Sequence, residues 1–131
     1  MTAKTTQSRK AKGRNLQKEV AAKILAYFPF LHASDVQSTS MGAPGVDVKL
    51  SKAAQDVFPM AIECKAVEKV NIWDAWGQAK HNSKDLNPLL VVRKARKEAI
   101  AVVDLEYLLS LHAECDKLAK QILALKGAKN V

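Results

Sequence analysis

A chain of 131 residues, 48% of them hydrophobic, is long enough to bury a single core, which excludes wholesale disorder. Its formal net charge of +8 and pI near 9.6 favour an anionic partner, of which nucleic acid is the commonest. No apolar run approaches the ~20 residues of a membrane-spanning helix, and no apolar stretch follows the basic N-terminus as it would in a secretory signal.

The charge is clustered. Lys4, Arg9, Lys10, Lys12, Arg14 and Lys18 crowd the N-terminus, and Arg93, Lys94, Arg96 and Lys97 form a second group. The two cysteines, Cys64 and Cys115, stand far apart without metal-ligand spacing, so a reducing intracellular setting is expected rather than a disulfide.

In chain order, residues 1–9 read as a flexible basic N-terminus. From Lys10 to Phe28 the apolar residues Leu16, Val20, Ile24 and Phe28 recur every fourth position with Ala21 and Leu25 beside them. That spacing predicts an amphipathic helix, ended by Pro29. Val36 to Thr39 reads as a short strand, and Met41-Gly42-Ala43-Pro44-Gly45 as a turn. Val46 to Leu50 alternates apolar and charged, as a half-buried strand does. Ser51 to Pro59 reads as a hairpin-like connection to a strand over Met60 to Lys65.

Asn71 is placed to cap a helix from Ile72 to about Lys84. Two apolar strands, expected to be well buried, follow at Pro88 to Arg93 and Ala99 to Val103, joined by a basic turn. Asp104 is placed to cap a last helix from Leu105 to about Lys126, with Gly127 as its stop. Its residues Leu108, Leu111, Cys115, Leu118, Ile122 and Leu125 form a heptad-like seam. The seam either packs on the domain's own sheet or meets a partner helix, most simply that of a second copy. The expected fold is α/β, a mixed central sheet flanked by helices, with residues 10–104 as core and 105–131 as a C-terminal dimerisation element.

The chemistry concentrates on two strands. In Ile62-Glu63-Cys64-Lys65 alternate side chains share a face, so Glu63 and Lys65 point one way while Ile62 and Cys64 enter the core. If the two charged strands pair, Asp47 and Glu63 converge with Lys65 beside them. Two carboxylates sharing a site repel, and a hard divalent cation resolves the repulsion. Mg²⁺, with Mn²⁺ as a substitute, takes one or two protein carboxylates and keeps waters and a phosphate oxygen. The backbone carbonyl of Cys64 is a candidate further ligand, and Lys65 a candidate to hold the attacking water or stabilise charge on phosphorus. His32, His81 and His112 lack any spacing that would build a zinc site. Trp73 and Trp76 are expected to pack in the core.

Pro44-Gly45-Val46-Asp47 followed by Glu63-Cys64-Lys65 resembles the PD-(D/E)xK nuclease superfamily, whose members share a restriction-endonuclease-like fold. Lys12-Gly13 followed by Glu19 is similar to the opening of archaeal-type Holliday-junction resolvases. The resemblance covers roughly residues 10 to 104. It implies that Glu19 joins Asp47 and Glu63 at the metal, that Ser40, in a serine-containing loop, contacts phosphate, and that Gln78 supports the lysine or a phosphate. It also implies a homodimer working in a prokaryotic cell or phage-infected host.

Three readings follow. One is a metal-dependent endonuclease selective for branched DNA, gripping phosphates through Arg9, Lys10, Lys12, Arg14, Arg93, Lys94, Arg96 and Lys97. Another is a restriction-like, mobile-element or phage nuclease of the same fold. The last is a nucleic-acid-binding protein without catalysis, in which the strand-face charges are structural.

Overall fold

The computed structural model describes residues 2–40 and 42–129. Met41, in the expected turn, lies outside them. The first helix, α1 (Thr2–Tyr27), begins well before Lys10, where a flexible segment was expected. No proline or glycine interrupts its first turns, and a run of good helix formers, Arg9, Lys10, Ala11 and Lys12, carries it into the amphipathic stretch. A 3-10 turn at Ala33–Asp35 leads into β1 (Val36–Ser38), then β2 (Val48–Leu50).

The connection after β2 is not hairpin-like but a short helix, α2 (Lys52–Val57). The Ser51 hydroxyl accepts the Ala54 N–H at 3.2 Å, and Lys52 pairs with Asp56 one turn on at 2.6 Å. A serine followed by helix formers is an N-cap signal, and here it outweighs the turn reading. The chain continues through β3 (Met60–Ala66), α3 (Ile72–Ser83), β4 (Asn87–Arg93), β5 (Ile100–Val102) and α4 (Leu105–Lys129). As expected, the Asn71 side chain accepts the Asp74 N–H and the Asp104 carboxylate accepts the Tyr107 N–H, each at 3.1 Å. Gly127 does not stop α4, which runs on to Lys129.

The five strands form one mixed sheet in the order β1-β2-β3-β4-β5, antiparallel except for the β3–β4 pair. Helix α1 covers one face. Its Leu16, Val20, Ala21 and Ile24 join Val36, Val48, Leu50, Ile62, Cys64, Leu89 and Val91 in the main core. Helix α3 covers the other, where Ala75 and Ala79 meet Leu90 and Val92. With both faces covered, β3 and β4 are continuously buried through their middles, Glu63 included.

Two burial expectations fail. The last strand, β5, is an edge that pairs only with β4, and its Ile100 and Ala101 are exposed. Trp76 packs half-buried against the α3 core, but Trp73 is 81% exposed. Both cysteines are free, Cys64 buried and Cys115 exposed. Among the described residues no helix is long and apolar enough to cross a membrane.

Candidate active site

The site forms where β2 and β3 part. Their pairing is registered at Val48 and Ile62, with the Asp47 N–H donating to the Ile62 carbonyl at 2.8 Å. One step further along β3 the Cys64 N–H has no strand partner there. It donates instead to Asp47 Oδ2 at 2.7 Å, so a carboxylate takes the place of a ladder carbonyl. The Asp47 backbone is held from the other side: the Thr39 N–H donates to its carbonyl at 2.9 Å and the Thr39 hydroxyl at 3.2 Å. The approach to Asp47 turns through Gly42 (φ +83°) and Gly45 (φ +90°), left-handed conformations that glycine adopts without Cβ strain.

A cleft of about 480 Å³ opens at this fork. Asp47, Glu63, Cys64 and Lys65 line its strand side, Pro44 and Gly45 its rim, Gln78, His81 and Asn82 its α3 wall, and Gly13 and Gln17 its α1 wall. The three residues expected to converge therefore do so, and Gln78 stands opposite them. Lys65 Nζ lies 3.8 Å from Glu63 Oε1.

The electrostatics are those of a strained pair. Burial raises the pKa of Asp47, opposed by the Cys64 N–H and the Lys65 charge. Burial raises Glu63 as well, reinforced by the Asp47 charge and relieved in part by Lys65 and Asn82. Glu63 is 4% exposed, and its Oε2 has no hydrogen-bond partner. The Cys64 thiol, pointing into the core beneath, is pushed up to about 12 by burial and the two carboxylates, so it is no nucleophile.

The resemblance places Glu19 in this site, but helix phase does not. Glu19 pairs with Arg93 and approaches Lys23 at 3.9 Å, in a groove beside Phe58, Val91 and Ile100. Gln17 faces the cleft instead. Positions two apart on a helix differ by roughly 200° around the axis, so Gln17 and Glu19 cannot both face it. Gln17 is 4% exposed, and its Oε1, like Glu63 Oε2, has no partner. The sequence does carry its signal: Gln17, Ala21 and Leu25 share one four-residue row beside the buried stripe. Asn82, one turn after Gln78, is likewise a wall residue that the motif reading passed over.

Buried polar oxygens without partners cost about 1–3 kcal/mol each unless something supplies the missing contact. The two residues that carry such atoms, Gln17 and Glu63, both line the cleft beside Asp47. No cluster of three His, Cys, Asp or Glu side chains able to hold a metal occurs among the described residues. The donors are two carboxylates and an amide oxygen, a set that suits a hard cation keeping several of its waters.

Beyond Lys65 the surface turns basic. Arg9, Lys12 and Lys69 line a groove of about 790 Å³ with Ala66, Val67 and Glu68. Lys12, Ala66 and Glu68 also border an adjoining hollow with Arg93, Lys94, Arg96 and Lys97. The two charge clusters, some eighty residues apart in sequence, thus meet beside the end of β3. Lys10, Arg14 and Ser40 line neither the groove nor the cleft. Comparison with protein-family models, curated proteins and solved structures finds no match to this chain.

Proposed function

We propose that this protein is a metal-dependent DNA endonuclease, built on a variant of the restriction-endonuclease-like sheet and selective for branched substrates in the manner of a Holliday-junction resolvase. The observation that carries this reading is the fork between β2 and β3. There Asp47, Glu63 and Lys65 share a cleft with Gln17; Glu63 and Gln17 each carry a buried, unpartnered oxygen, and a cation-lined groove begins one residue further along the strand.

Asp47 and Glu63, with the Gln17 amide oxygen and the Cys64 carbonyl as further donors, would hold Mg²⁺ or Mn²⁺. When bound, such an ion supplies Lewis-acid charge for the phosphate and a more acidic water. The protein's own groups do the rest. Lys65 holds its ammonium beside Glu63, where it can donate to the attacking water or to the charge that builds on a phosphoryl oxygen. Gln78, across the cleft, offers an amide to the lysine or to a neighbouring phosphate. Arg9, Lys12 and the 93–97 turn, positioned along the groove, hold the flanking backbone and release its counterions.

Cleavage of a four-way junction and of a linear duplex in Mg²⁺, by the wild type, Lys65→Ala and Asp47→Ala, tests the reading. Removing one charge-stabilising donor is expected to lower turnover roughly 10²–10³-fold while DNA binding persists. If wild type and variants bind DNA alike and none cuts, the protein is a binding module and the catalytic reading is wrong. Equal cutting of junction and duplex would retain the nuclease and discard the branched substrate.

A further inference from the structure

Helix α4 is the feature that the catalytic reading leaves unused. Tyr107 touches the core, but every residue from Leu108 to Ala128 is exposed, so the heptad seam does not pack on the protein's own sheet. Leu108, Leu111, Cys115, Leu118, Ile122 and Leu125 keep a strict alternation of three and four, the a and d positions of a coiled coil over nearly three heptads.

The charges on this helix are sorted by end. Glu106, Glu114 and Asp116 lie in its first half, and Lys117, Lys120 and Lys126 in its second. A parallel pair of such helices would set acid against acid and base against base. An antiparallel pair sets each acidic half against a basic half, and it opposes the two helix dipoles as well. The seam has the same symmetry. Reversed about a point between Asp116 and Lys117, Leu108 falls opposite Leu125, Leu111 opposite Ile122, and Cys115 opposite Leu118. Run backwards, the helix is its own complement in apolar layers and in charge.

We propose that α4 is a docking surface for the α4 of a second copy of this chain, packed antiparallel about a two-fold axis near Asp116 and Lys117. The interface is isologous, closing as a dimer and leaving no free copy of the seam. It stands on α4 alone, so its failure would leave the nuclease reading untouched.

The test uses the full chain in sedimentation equilibrium. The wild type is expected to be a dimer that weakens with salt, because part of the match is charge. Leu111→Glu with Leu118→Glu is expected to raise the dissociation constant at least ~100-fold, since two charges from each copy would be buried without partners. Circular dichroism should show the sheet unchanged, because neither leucine touches the core. Orientation is read by pulsed dipolar spectroscopy on a spin label at Gly127→Cys in a Cys115→Ala background, which keeps the seam apolar; an added Cβ at Gly127 meets nothing within 4 Å. Twenty-one residues of rise put the antiparallel labels ~30 Å apart. A monomeric wild type, a dimer indifferent to the glutamates, or labels closer than ~20 Å would each overturn the proposal.

Discussion

Glu63→Gln is the perturbation that most directly separates a site built for a cation from a merely structural carboxylate. In the wild type a buried carboxyl with a partnerless Oε2 faces the like charge of Asp47, and burial and that charge both raise its pKa. Glutamine keeps the shape, removes the charge and offers an N–H to the Asp47 side. Relief of one unsatisfied buried group is about 1–3 kcal/mol. For a chain of this length each kcal/mol moves a thermal midpoint by roughly 2–8 °C, so the metal-free variant should melt at least several degrees above the wild type. Filling the site to about ten times its dissociation constant should stabilise the wild type by about 1.4 kcal/mol and the variant by much less. Thermal unfolding in EDTA and in Mg²⁺ near neutral pH reads both effects. A metal-free variant that melts at or below the wild type, or one that responds to Mg²⁺ as the wild type does, would refute the reasoning.

The same pair predicts a pH dependence. Asp47 and Glu63 have raised pKa values when folded, so the native state binds their protons more tightly than the unfolded chain does. That stability is fully present below the unfolded carboxylate values and is lost as pH rises through the raised folded ones. The midpoint advantage of Glu63→Gln over wild type should therefore widen from acid towards neutral pH in EDTA; a constant gap would contradict the assigned cause. In the groove, Arg96→Ala with Lys97→Ala should reduce the slope of log K against log salt for duplex DNA by about 2, checked by fluorescence anisotropy across a salt series. An unchanged slope would remove that turn from the interface. Finally, with its thiol buried and pushed up to about 12, Cys64 should resist iodoacetamide in native Cys115→Ala protein. Mass spectrometry should show no alkylated thiol natively and one in denaturant; native alkylation of Cys64 would contradict its burial.

Much of the fold is legible locally because it rests on short-range rules. Strand alternation put Ile62 and Cys64 in the core and Glu63 with Lys65 on the other face. Side-chain caps announced α3 at Asn71 and α4 at Asp104, and the four-residue apolar spacing of α1 declared which stripe it buries. Where local signals competed, as in Ser51 to Pro59, the turn reading lost to a capped helix.

Local residue patterns fix most of the elements, their apolar faces and the residue types able to share a charged site. Tertiary structure alone decided the rest. Burial of Glu63 follows from α3 lying over it, and exposure of β5 from its place at the sheet's edge. The entry of Gln17 rather than Glu19 was set by the way α1 is turned as it crosses the fork, and the convergence of Arg9 and Lys12 with Arg93 to Lys97 by the packing of α1 on the sheet. The physical reason is common to all of these. Periodicity says which face of an element is apolar, but which polar residues at its margin meet a neighbour depends on the axial rotation and crossing of packed elements, a quantity that no single segment carries.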